Sequence, residues 1–245
     1  MASTIKTKRL SRRKTWTILL PFFFLLILHG APLRASEEGS GEKENGKGYQ
    51  RLEGKAQEER LKLIEEKLGS IQSLRTDFTQ KRHMSLFMDV LTSRGVLSFQ
   101  KPDRLRWELT DPYRSIMIFN RGDVAKFQVK EGKLTRLNSG MEDLMRGVLK
   151  QILSMMQGDF GKVSEAYRIE VKEGSDYLLS MTPKSEGMSK TITSLELHID
   201  RSSLHMKEII IREPGQDYLE IIFTAHKENI SLPDDLFSTE PQESR

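Results

Sequence analysis

The chain has 245 residues, no cysteine and a formal charge of +4. That length allows a sizeable core, and the missing thiol excludes disulfides, thiol catalysis and N-terminal lipidation of the chain itself. The charge belongs to one end: residues 1–35 hold seven basic groups (Lys6, Lys8, Arg9, Arg12, Arg13, Lys14, Arg34) and no acidic one, leaving 32 basic against 35 acidic, a net −3, for the remainder; a nucleic-acid partner therefore loses its main support.

The N-terminus reads as an export signal over residues 1–35: a basic stretch, an apolar run from Trp16 to Leu28, then small residues at Gly30, Ala31 and Ala35. The apolar run falls short of the ~20 residues that span a bilayer comfortably, and Pro21 interrupts it. Thr15 to Leu33 is nevertheless free of formal charge, so two fates stay open: cleavage near Ala35, or retention as an anchor. Ser36 to Gly48 is polar and Gly-rich, which predicts a disordered linker over 36–50 ahead of a folded domain at 51–240.

From Arg51 the period changes. Leu52, Ala56, Leu61, Ile64, Leu68 and Ile71 recur at helical spacing, with Gly69 near the end of the helix. Strands then follow at 76–84, 86–100, 104–110, 115–120, 124–129 and 133–137, with five more at 166–172, 176–182, 192–199, 205–212 and 217–224. Short turns between them imply antiparallel neighbours and a barrel or sandwich. The most informative stretch is Gly95 to Leu109. Leu97 and Phe99 alternate with polar residues, Lys101-Pro102-Asp103 breaks the ladder, and Leu105, Trp107 and Leu109 resume opposite Arg104, Arg106 and Glu108.

Between the two strand groups, Met141, Leu144, Met145, Val148, Leu149 and Ile152 fall on one face of a helix at 139–157, with Asn138 or Ser139 as its cap and Gly158 beyond its end. Two readings stand side by side. The helix plugs the sheet as ordinary core, or it is a lid whose unbranched methionines repack around a ligand of irregular shape. No catalytic constellation is present: His83, His198, His205 and His226 are dispersed, and there is no metal-ligand spacing, nucleophile elbow or phosphate loop. The chain is read as a non-enzyme without cofactor or metal.

The order of these features resembles the periplasmic outer-membrane lipoprotein carrier (LolA) family. Thr76-Asp77-Phe78-Thr79-Gln80, the G-x-L-x-F strand, the Lys-Pro turn, the R-W-E strand, the Asp-Pro turn and the terminal Ile230 to Phe237 fall in the family's order. The resemblance implies a mainly β fold with helices: an incomplete, unclosed antiparallel barrel of about eleven strands, with an N-terminal helix and a helical lid over an apolar cavity. It implies a lipid-binding cavity lined by Leu97, Phe99, Leu105, Trp107, Leu109, Ile116 and Ile118. The implied cargo is the acyl chains of lipoproteins or other lipid, ferried by a monomer between an inner-membrane release transporter and an outer-membrane acceptor. The family's latch arginine, which reaches the lid's carbonyls, is Lys101 here, with Arg104 and Arg106 close by as substitutes. A sensor or interaction module of the same fold, binding lipid or a partner protein, is the alternative.

Overall fold

The structure, a computed structural model, describes residues 48–240 except 87, 88, 131, 132, 138, 139 and 141, with the backbone alone for Lys130 and Leu144. The leader expected at 1–35, the linker as far as residue 47, Met141 and both candidate caps, Asn138 and Ser139, lie outside the described residues.

In chain order the elements are β1 (Gln50–Arg51), α1 (Gly54–Ser70), β2 (Ser73–His83), β3 (Leu91–Gln100), β4 (Arg104–Asp111), β5 (Ser115–Asn120), β6 (Asp123–Lys130) and β7 (Lys133–Arg136). Then come α2 (Glu142–Met156), α3 (Phe160–Ala166), β8 (Tyr167–Glu173), β9 (Tyr177–Pro183), α4 (Glu186–Ser189), β10 (Ser194–Ile199), β11 (Met206–Arg212) and β12 (Tyr218–Glu228). A 3-10 turn at Asp234–Phe237 follows. The strands form one antiparallel sheet in the order β1-β8-β9-β10-β11-β12-β2-β3-β4-β5-β6-β7, so β1 and β7 are unjoined edges and the barrel is open.

Twelve strands stand where about eleven are expected from the turn spacing. The addition is β1, cut from the end of the expected linker. Gln50 and Arg51 pair with Glu173 and Lys172, and the Tyr49 hydroxyl donates to Asp176 Oδ1 at 2.5 Å. Linker composition predicts disorder only where the chain finds no edge to pair with, and the free edge of β8 supplies one. The helices α3 and α4 also escape the periodicity, being too short to show a stripe; the side chains of Asp159 and Ser185 cap them.

The register sorts the strands into rungs that share one face. Leu74, Phe99, Leu105, Phe119 and Val124 lie side by side across β2 to β6. The next rung is Thr76, Leu97, Trp107, Met117 and Lys126, and the third is Phe78, Gly95, Leu109, Ser115 and Gln128. This face, with the matching residues of β8 to β12, makes the main core, against which α1 packs Ile64 and Leu68 and α2 packs Met145, Leu149, Leu153 and Met156. Gly95 is required by a close approach. A Cβ there would lie 2.1 Å from the Glu108 carbonyl oxygen and 2.5 Å from the tip of the Phe78 ring, which crosses β3 to meet Trp107 with ring centroids 4.5 Å apart.

Candidate functional site

Alternation decides which candidate residues meet. Leu97, Phe99, Leu105, Trp107 and Leu109 are buried together on the inner face. Ile116 and Ile118 are not with them. They pair with Glu108 and Arg106 and form a separate cluster with Ala125 and Phe127 on the outer face. The inward residues of β5 are Met117 and Phe119. The strand reads Ile-Met-Ile-Phe, apolar on both faces, so its own pattern names no interior; only the register with β4 does.

The expected lid helix is α2, and its apolar stripe lies against the inner face. Met145 and Leu149 are buried, while Val148 and Ile152 are half-buried at the margins. Both ends are tied by side chains bonded to turns of the sheet: Arg146 Nε donates to the Gly122 carbonyl at 2.8 Å, and the Gln157 amide donates to that of Pro102. Past the helix, Gly158 at φ 69° abuts α1; a Cβ there would stand 2.8 Å from the Glu65 carbonyl oxygen. The space beneath α2 is filled by its own side chains. A hollow of about 10 Å³, room for one water, lies between α1, the end of α2 and the sheet, lined by apolar Leu68, Met156 and Phe223 and by polar His205, His226 and Glu228.

The expected latch residues hold other elements. Lys101 Nζ donates to the carbonyl of Gly69, capping the end of α1 rather than α2. Arg104 pairs with Asp234 and lies over the Phe237 ring, and Arg106 bonds Glu108 and the Leu236 carbonyl, so both clasp the C-terminal turn to the outer face. They alternate with Leu105 and Trp107 and therefore point away from α2. Burial pushes the Glu108 carboxyl up, but the bonds from Arg106 and Arg114 outweigh it and hold the group below its ordinary value. Arg146 and Gln157, which do tie α2 down, carry no signal in the sequence, since each is one polar residue on a polar helix flank.

Two histidine clusters also escaped the sequence. His205 stacks on His226 with centroids 4.8 Å apart and meets Glu228 at 2.8 Å; Lys67 of α1 meets the same carboxylate at 2.6 Å. Burial pulls the His226 imidazole below its ordinary value. His198 is buried on the outer face with Asp176 at 3.3 Å and Tyr49 at 3.4 Å. Among the described residues no three His, Asp or Glu groups converge as metal ligands.

Residues 69–240 match the family described as outer membrane lipoprotein carrier protein LolA. The chain belongs to the LolA family. The match opens at the last turn of α1 and takes in the whole of β2 to β12, α2 and the C-terminal turn that Arg104 and Arg106 clasp. No curated relative matches at the level of sequence. Similar solved structures include a LolA superfamily protein from Nitrosomonas europaea, 12% identical, covering 73% of this chain and 97% of that one with a TM-score of 0.40. A second is a chain of the Pseudomonas aeruginosa MucA/MucB complex, 13% identical over 76% of this chain and 62% of that one, TM-score 0.42. A third is LprF from Mycobacterium bovis, 10% identical over 72% and 95%, TM-score 0.42.

Proposed function

We propose that this LolA-family protein is a periplasmic carrier that binds the acyl chains of lipoproteins on its inner face and moves them from the inner toward the outer membrane. It receives them from a release transporter and yields them to an acceptor, and it works by binding, without catalysis. The supporting observation is the pairing of a largely apolar inner face with a helical cover that meets it through apolar side chains and is bonded at its two ends.

The energies suit a carrier. Withdrawing Met145, Leu149, Leu153 and Met156 exposes four buried side chains, at a cost of roughly 6–12 kcal/mol if each contributes about 1.5–3. An acyl chain of about sixteen carbons offers roughly 12 kcal/mol on entering the same face, at about 0.8 per CH₂. The exchange nearly balances, so cargo can displace α2 and still be surrendered to a stronger acceptor. The test is mass spectrometry of solvent extracts from natively expressed protein, with titration by a fluorescent acyl probe. Acyl material and saturable probe binding are expected; neither appearing would overturn the reading.

One observation favours a second reading, an interaction module: the inner face is already filled by the chain's own side chains. A partner protein would then be gripped at a sheet edge, and purification would yield that protein without acyl material.

A further inference from the structure

One strand changes face beside the seam where α1 meets the end of α2. On β12, Phe223 pairs with Phe78 and Glu228 with Leu74, both inward residues of β2. Residues 224–227 of β12 therefore span only 75–77 of β2, four against three, and the extra residue makes a β-bulge with Ala225 at φ 55°. Alanine adopts that left-handed conformation at a cost. Its effect is to re-aim the strand, so that His226 faces the hollow that Met156 of α2 and Leu68 of α1 help to close.

The His226 Nε2–H donates to the Met206 carbonyl at 2.9 Å, so Nδ1 is the nitrogen that takes a second proton. Its ring stacks on His205, and His205 and Lys67 both meet the Glu228 carboxylate, at 2.8 and 2.6 Å. Among the described residues, Lys67 from α1, His205 from the turn before β11 and Glu228 from β12 are the charged or titratable groups around His226. The sheet adds Thr76 from β2 and α2 adds Met156, neither of which titrates. Burial is the largest influence on His226 and holds its imidazole below the ordinary value of 6.5. The Met206 carbonyl pushes the other way, His205 adds to the depression and Glu228 opposes it. That one carboxylate already serves Lys67 and His205, so a third cation has to share it.

A proton is a ligand whose affinity differs between two states. With the seam closed His226 refuses it; with Met156 withdrawn, water reaches the ring and the ordinary affinity returns. The closed seam is therefore at full strength above about 6.5 and loses ground as pH falls below that value. Once the pH lies beneath both values, the ratio of closed to open has fallen about tenfold for each pH unit by which closure depresses the imidazole.

We propose that the seam between α1 and the end of α2 is a proton-operated entrance to the inner face, with His226 as its sensor. Acid frees the end of α2 next to Gln157, whose amide ties it to the Pro102 carbonyl. The hollow thus opened is continuous with the apolar rung of Leu74, Phe99 and Leu105, since Leu74 belongs to both. That acyl chains are what enters rests on the acyl-carrier reading; the opening itself does not.

The test follows methionine oxidation by dilute hydrogen peroxide in the natively expressed protein, read residue by residue by mass spectrometry at about pH 7.5 and about pH 5.5, on either side of the free imidazole value. N-acetylmethionine in the same tube corrects for the reagent. Met156 is 4% exposed, and Met181 on β9, at 0%, is the control for global loosening. Oxidation of Met156 is expected to speed up by roughly threefold or more at the lower pH, with Met181 unchanged. His83→Phe, which removes the other depressed imidazole, should keep that response, and His226→Phe should lose it. A second measurement needs no histidine variant: the His226 Cε1–H resonance should titrate below 6.5 and move up toward it in Met156→Ala. A fluorescent acyl probe should bind more tightly at the lower pH by the same factor. A Met156 rate that ignores pH, a response retained in His226→Phe, a His226 resonance unmoved by Met156→Ala, or Met181 accelerating in step overturns the proposal. Faster Met156 oxidation with probe affinity equal or lower in acid also overturns it, since the seam is then no entrance. Faster Met156 oxidation with no probe binding at either pH overturns the acyl-carrier reading and upholds the proton-operated seam.

Discussion

The two faces of β4 and β5 are both covered, and by different chemistry. On the outer face the C-terminal turn is held by directed bonds: Arg104 to Asp234, Arg106 to the Leu236 carbonyl, Asn120 to that of Phe237. On the inner face α2 contributes methionine and leucine side chains without fixed partners, and bonds to the sheet turns through Arg146 and Gln157. Charge-assisted bonds specify one geometry, whereas apolar contact is satisfied by any surface of similar area. On the carrier reading, the same strands carry a permanent cover on one side and an exchangeable one on the other.

The largest effect expected is from Leu105→Glu, which places an unpaired carboxylate in the main core and should cost several kcal/mol in urea unfolding. Arg106→Glu on the opposite face should cost less; equal losses would mean the faces are reversed. Next come the covers themselves. Phe237→Ala should lose about 3–5 kcal/mol with acyl-probe affinity unchanged, because Phe237 is fully buried under the permanent cover. Met145→Ala should weaken the closed state and alter probe binding, and a stability loss with no change in probe titration would make α2 a structural plug.

Smaller effects separate the ties. Arg146→Leu removes a bond that holds α2 down, so opening should cost less and probe affinity rise by about fivefold, the equivalent of one hydrogen bond of about 1 kcal/mol. Lys101→Leu should lower stability by about 1 kcal/mol and leave probe affinity unaltered, since that lysine caps α1. A probe response to Lys101→Leu with none to Arg146→Leu would restore Lys101 as the latch.

The smallest effect is with pH. Burial lowers both His226 and His83 below their ordinary value of 6.5. Unfolded chains then bind protons that the folded state refuses, so stability is fully present above about 6.5 and declines as pH falls below it, toward each folded value. Urea midpoints should drop between neutral pH and the onset of carboxylate titration, and His226→Phe should flatten that slope.

Much of this fold was legible because hydrophobic period reports burial directly. The alternation of Leu97 to Leu109 and the stripe of α2 each came through as a pattern of side chains. Three things did not. Ile116 and Ile118 sit in a strand that is apolar on both faces, where only pairing with β4 picks a side. Arg104 and Arg106 were within reach of the sequence, since alternation with Leu105 and Trp107 already turns them from α2; proximity along the chain concealed it. The packing of Phe78 on Trp107 depends on Gly95 letting the Phe78 ring cross β3, a three-strand relation that no local pattern encodes.

The central claim is that cargo occupies the inner face in place of α2 side chains. A diazirine-bearing acyl amide, photolysed on the protein and mapped by mass spectrometry, tests it most directly. The account predicts adducts at Leu97, Phe99, Leu105 and Trp107, and on the inward side of α2 at Met145 and Leu149. Adducts confined to Ile116, Ile118 and the C-terminal turn, with the inner face unlabelled, would contradict it.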